Sequence, residues 1–219
     1  DAAERIEQAL VKLRAAGDAD AERVAIGNLG TVYWSQGRFA AARRMLERQL
    51  EIVREIGSRP GEALAIGNLG AVALQQLQFA EARRFFQRQL ALCREIGRRD
   101  GEARALGNLG ALAALEGRLA EALDRHEEHL ELSRAMGYAV GSANALINLG
   151  AAHLALGHAA VAREHLDAAL ALPRSIPYPY GEGHALTALA VATEDAGRPE
   201  DALRLHGDAL ELRRRIAQR

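Results

Sequence analysis

Apolar and polar positions run along this chain with the three-and-four spacing of amphipathic helices, in two blocks that recur together. Residues 58–97 show both: Leu64, Ile66, Leu69 and Val72 mark the first block, and Ala82, Phe86, Leu90 and Cys93 the second. Such spacing gives each block one face to bury. Gly37, Gly117, Gly157 or Gly197 stands between the blocks, and Gly17, Gly57, Gly97 or Gly137 follows the second. A glycine just past the last helical residue adopts the left-handed cap conformation without a steric penalty. The pattern therefore predicts a unit of helix A, tight turn, helix B and short turn.

The unit recurs every 40 residues. Asn28, Asn68, Asn108 and Asn148 fall at that interval in AIGNLG, AIGNLG, ALGNLG and ALINLG, with parallel series from Ala2 to Ala202 and from Leu10 to Leu210. The register divides the chain into a lone helix B at 1–17, repeats at 18–57, 58–97, 98–137 and 138–177, and a degenerate repeat at 178–219. An all-α chain is expected, in keeping with abundant Ala, Leu, Glu and Arg, 4% aromatic residues and five prolines. Gly27, Gly67 and Gly107, with Gly30, Gly70, Gly110 and Gly150, lie inside helix A, where each costs about 1 kcal/mol relative to Ala. Close approach of a neighbouring helix is the expected compensation. Toward the C-terminus Ile147 replaces the first glycine, Ala188 replaces the asparagine, and Pro173 should end the fourth helix B early, with the following pair rotated. Pro177-Tyr178-Pro179-Tyr180 fills what is elsewhere a short turn, and Pro199 suits the first turn of the last helix. A first helix without its partner, and a last helix still carrying Leu203, Leu205, Leu210 and Leu212, read as the uncapped ends of a piece cut from a longer protein.

Leu29-Gly30, Phe39, Ala42 and Leu46, and again Leu69-Gly70, Phe79, Ala82 and Phe86, occupy the hallmark places of the tetratricopeptide repeat (TPR), which the chain resembles over almost its whole length. The usual unit is about 34 residues. This one is similar to the long variant of kinesin light chains, Leu-Gly-Asn polarity adaptors and many bacterial multidomain regulators. The resemblance implies an α-solenoid, a right-handed superhelix of antiparallel helix pairs whose A helices line the inner surface. The asparagine before each Leu-Gly resembles the asparagine ladder of protein-binding superhelices such as the O-linked N-acetylglucosamine transferase. A side-chain amide both donates and accepts, so a row of them suits the peptide groups of an extended partner whatever its sequence. Candidate peptide-binding residues are thus Asn28, Asn68, Asn108 and Asn148, with Val24, Leu64 and Arg104 one turn earlier and Trp34 and Leu74 further along. The strip they form is apolar at its N-terminal end and more polar from Arg104 onward. Asparagines that merely tie adjacent A helices together are the competing explanation. The carboxylate clamp of chaperone-tail-binding relatives is not expected, because Gly27, Gly67, Thr31 and Ala71 stand at its places.

The expected partner is a protein or peptide, bound by a cytoplasmic scaffold that is part of a larger, bacterial regulatory protein. The alternative is a ligand-sensing or self-association module of a signalling protein, acting through the uncapped ends. A net charge of -1 favours neither nucleic acid nor anionic membrane, and no apolar run approaches the roughly 18 residues of a membrane span. The single cysteine, Cys93, excludes an internal disulfide and reads as a packing thiol, since Val53 and Ser133 share its register. Arg14, Arg54, Arg94, Arg134, Arg174 and Arg214 recur near the end of helix B, where a cation complements the helix C-terminus. Glu22, Glu62 and Glu102 are natural partners. His126-Glu127-Glu128-His129 raises a metal question, but its spacing is not HExxH, and His126 shares its register with Leu46, Phe86, Leu166 and His206. No metal site, cofactor or catalytic residue is expected, and no enzyme activity.

Overall fold

The computed structural model describes residues 2–17, 19–172 and 178–217, with the side chains of Arg14, Ala19, Asp20 and Ala217 left aside. The described residues form eleven helices: α1 (Ala2–Ala16), α2 (Ala19–Ser35), α3 (Phe39–Glu55), α4 (Arg59–Gln75), α5 (Phe79–Glu95), α6 (Arg99–Leu115), α7 (Leu119–Ala135), α8 (Ala139–Ala155), α9 (Ala159–Ala171), α10 (Pro179–Asp195) and α11 (Pro199–Ala217). They are arranged as consecutive antiparallel pairs, the α-solenoid architecture. From α2 to α8 each helix has 17 residues, so two helices and two three-residue connections fill the period. The chain divides into two compact units, 1–105 and 106–219, each described by itself.

The connections from α2 to α9, and that between α10 and α11, share one cap. After α3, the Gly57 N–H donates to the Arg54 carbonyl at 3.1 Å and the Ser58 N–H to the Val53 carbonyl at 2.8 Å, which satisfies carbonyls orphaned at the helix end. Glycine supplies the positive φ at each such place save one. Leu77, with φ 58, takes the left-handed conformation where the other repeats have glycine, and its side chain is exposed.

In the first unit the glycines inside helix A form a notch that helix B fills. A Cβ on Gly30 would lie 3.0 Å from Leu46, and one on Gly70 would lie 2.5 Å from the Phe86 ring. Beside them Gln49 and Gln89 occupy the space a Cβ on Gly27 or Gly67 would need. The close approach expected from the sequence is therefore present, and it removes most of the solvent from both faces. Ile26, Leu29, Leu46, Val53, Ile66, Leu69, Val72 and Cys93 are buried in one cluster.

The second unit repeats the notch with different fillings. His126 sits against Gly110 and His129 against Gly107, while Leu166 meets Gly150. Where Ile147 replaces the glycine, Ala169 stands at the position of Gln49, Gln89 and His129, so volume has moved across the interface while the pair stays filled. Helix α9 stops at Ala171 after 13 residues, the early end expected from Pro173. Pro173 itself, Arg174 and Pro177 lie outside the described residues, whereas Pro199 opens α11 as expected.

Two stability measurements follow. Gly67→Ile alone overpacks the notch and lowers stability by about 1–3 kcal/mol, and adding Gln89→Ala restores much of the loss, because the double variant reproduces the Ile147 and Ala169 pairing. Additive losses in the denaturation midpoint would refute the notch account. Leu77→Gly relieves a left-handed residue and raises stability by up to about 1 kcal/mol; an unchanged or lower midpoint would count against strain at that turn.

Candidate functional site

Within the first unit several helix A residues reach solvent. Asn28 is exposed and Asn68 half-buried. Trp34 is 37% exposed, whereas its neighbour Tyr33 is 6% exposed and fills the core. The Tyr33 hydroxyl donates to the Glu7 carboxylate, and the Arg38 guanidinium lies 4.2 Å from the centre of its ring. This pins Tyr33 inward and leaves Trp34 to line a cleft of about 170 Å³ with Thr31, Leu46, Asn68, Ala71 and Val72. Gly30 also lines it; lacking a Cβ there, helix A leaves the indole and Leu46 facing open space.

A second, more polar cleft of about 410 Å³ involves Leu64, Pro60, Cys93, Arg98, Asp100 and Arg104 among its walls. Arg98 is held by Asp100, donating at 2.8 and 2.7 Å, and that guanidinium pulls the Asp100 carboxyl down to about 2. Arg104 is exposed. The structure thus groups Trp34 with Asn68, and Leu64 with Arg104, in two clefts. Val24 is 48% exposed on α2 and Leu74 half-buried on α4, and neither lines these clefts.

In the second unit Asn108 and Asn148 are half-buried. Asn144, one turn before Asn148, accepts a hydrogen bond from the Tyr178 hydroxyl at 2.8 Å, a contact with no counterpart in the repeat pattern. Among the described residues no hydrogen bond within the protein engages the side-chain amides of Asn28, Asn68, Asn108 or Asn148. A polar cleft of about 440 Å³ between α9, α10 and α11, with Arg163, Thr193, Arg198, Asp201 and Arg204 among its walls, has no signal in the repeat register.

The other chemistry-bearing residues resolve into packing and surface pairing. Arg54 and Arg94 donate to Glu62 and Glu102 at 3.0 and 2.6 Å, as the register of the arginines implies. Arg174 and the side chain of Arg14 lie outside the described residues. Burial pushes the Cys93 thiol up from its ordinary value, which keeps it protonated and inert. His126 and His129 are buried. Burial, with His129 nearby, pushes the His126 imidazole down to about 4, and burial lowers His129 as well. Neutral rings that fill glycine notches are core residues, in keeping with the register His126 shares with Leu46, Phe86 and Leu166. Among the described residues no helix is long and apolar enough to cross a membrane.

Paired helices, a glycine notch under each Leu-Gly and a 40-residue period define a helical-repeat protein. Residues 20–88, 61–135 and 141–215 match the tetratricopeptide repeat family, and the chain belongs to it. Solved structures of the same fold include BtubC (BKLC) from P. vanneervenii, 18% identical at a TM-score of 0.79, with 99% of this chain and 90% of that chain covered. The Rap conjugation gene regulator of the plasmid pLS20, solved in complex with the Phr* peptide, is 15% identical at a TM-score of 0.80; the match covers 93% of this chain and 56% of the regulator. NprR in complex with its cognate peptide NprX is 16% identical at a TM-score of 0.71, with 95% and 61% covered. At such identities the likeness concerns the fold. No curated protein sequence matches the chain.

Acid should loosen the α6–α7 notch. An exposed imidazole takes its proton near pH 6.5, but His126 in the fold resists until about 4, so the unfolded chain binds more protons between those values. Stability is full above about pH 6.5 and falls as pH drops toward 4, by about 3 kcal/mol for a shift of this size, with His129 adding in the same direction. His126→Leu, the residue at Leu46 and Leu166, should flatten much of this dependence in thermal melts from pH 7 to 4.5; an unaltered slope would refute the assignment.

Proposed function

We propose that the chain is a protein- or peptide-binding scaffold that receives an extended segment along its A helices. The observation that carries this reading is the row of asparagine amides at fixed spacing, none hydrogen-bonded within the protein among the described residues. Unpaired amides on an ordered helix offer donors and acceptors to a peptide backbone at little ordering cost. Asparagines that tied neighbouring A helices together would have their amides engaged. The Trp34 cleft supplies an apolar anchor point beside Asn68, and Arg104 offers a cation to an acidic residue of the ligand. That Rap and NprR, of the same fold, were solved with bound peptides supports the ligand class. In this reading the chain serves a cytoplasmic, bacterial regulatory protein.

A second reading, self-association, draws on α11, where Leu203 and Leu210 are 74% and 50% exposed. Light scattering over a concentration series separates the two, because a chain that stays monomeric at high concentration removes self-association.

Peptides selected from a random display library should carry a large apolar residue and shift the emission of Trp34, the sole tryptophan. Asn28→Ala combined with Asn68→Ala should weaken them roughly tenfold or more, the equivalent of one or two hydrogen bonds, with the melting temperature nearly unchanged. If that variant instead melts early and keeps its affinity, and Trp34→Ala binds as well as the unaltered chain, the amide row is structural and the docking reading fails.

A further inference from the structure

Helices α8 and α9 bring together three imidazoles that the repeat pattern does not require. His153 lies in the last turn of α8, His158 caps the start of α9, and His165 follows seven residues later, two turns on and therefore on the same face of α9. The Nδ1 atoms of His153 and His158 are 3.4 Å apart. The His165 ring stacks on that of His153, with centroids 5.3 Å apart and planes within 10°. The backbone under the pair is fixed, because the His158 N–H donates to the His153 carbonyl at 2.9 Å across the turn at Gly157. His158 makes no side-chain hydrogen bond to the N-terminus it caps, so its imidazole is not committed to capping.

We propose that His153, His158 and His165 form a binding site for a divalent transition-metal ion of the zinc class. With metal–nitrogen bonds of about 2.0–2.1 Å, nitrogens 3.4 Å apart subtend an angle of about 110° at a shared ion, close to the tetrahedral value. The two rings face each other nitrogen to nitrogen, with centroids 5.7 Å apart, and modest rotation about χ2, a broad torsion in histidine, aims both lone pairs at the ion. As placed, no three His, Cys, Asp or Glu side chains converge on one point among the described residues, so His165 joins as third ligand by rotating off the stack, and water completes the shell. Imidazole donors select zinc, copper and nickel over calcium and magnesium, which take oxygen ligands. The site uses none of the asparagines and is independent of the peptide-binding reading.

The test is calorimetric titration of the untagged chain with ZnCl2 near neutral pH, with melting temperature as a second readout. One ion should bind per chain and raise the melting temperature, as any ligand of the folded state alone does, and calcium or magnesium should do neither. His153→Thr and His158→Arg borrow residues that other repeats carry at these positions, Thr193 and Arg198. Each should weaken zinc roughly tenfold or more, and His165→Leu, after Leu205, should weaken it too. In the unaltered chain zinc should shift the ring-proton resonances of His153, His158 and His165 while those of His184 and His206 stay in place, a readout that needs no variant. Absence of one-to-one binding, affinity unmoved by the two substitutions, or shifts confined to other histidines would overturn the proposal and leave the pair as a shared-proton contact.

Discussion

Everything in this fold depends on how closely helix B is allowed to approach helix A. The approach is possible only where helix A has no Cβ, at Gly27 and Gly30 and their equivalents, and there Gln49 and Leu46 enter the notch. A glycine inside a helix costs about 1 kcal/mol relative to Ala. Filling the space with the buried Phe86 ring offsets that, since burying an aromatic side chain contributes about 1.5–3 kcal/mol. The interface accepts Leu, Phe or His as the filling, and it accepts Ile147 once Ala169 replaces the larger partner. What it requires is that the notch stay filled without overlap, as close-packed interiors demand.

The notch also decides what remains exposed. Asn28 lies about 130° around the helix from the midpoint of the glycine pair, so helix B cannot cover it. Trp34 follows Gly27 by seven residues on the glycine stripe itself, and its indole therefore meets Leu46 at the mouth of the notch rather than in the core. Tyr33 takes the inward place, tied by Glu7 and Arg38. The packing rule and the candidate site are in this sense one feature. Ion pairs matter less: Arg43 donates to Glu81 at 3.0 and 2.7 Å and lowers its pKa, and Glu62 accepts from both Arg54 and Arg88. Partly exposed pairs of this kind are worth about 0–1 kcal/mol each, so they mark register between repeats more than they stabilise it.

Much of this was legible in the chain because the repeat supplies several aligned copies of one local problem. Paired helices, left-handed glycines at the turns, the notch and the early end of α9 all follow from residues within one period. What was not legible breaks the period. Leu77 adopts a glycine conformation because the turn geometry on either side is already fixed by its neighbours. Tyr178 reaches Asn144 from the longer, proline-containing connection between α9 and α10. His153, His158 and His165 meet only because a tight turn folds the end of α8 onto the start of α9, a juxtaposition that spacing along either helix alone does not display. His126 and His129, which spacing did single out, are core fillings.

Differences among the repeats are placed where packing permits them. Leu29, Leu69, Leu109 and Leu149 are all buried and all leucine, whereas the positions one turn before each asparagine read Val24, Leu64, Arg104 and Asn144. Those after Asn28 and its equivalents read Thr31, Ala71, Ala111 and Ala151, then Trp34, Leu74, Ala114 and Leu154. A substitution at a buried notch position must be answered by a second one across the interface, as at Ile147 and Ala169. A substitution at a solvent-facing position needs no such answer. A repeat array therefore varies most easily along the surface that a ligand would read, while the amides beside it stay constant. In the proposed docking, general affinity for a peptide backbone and specificity for its side chains would reside in adjacent residues of the same helix turn.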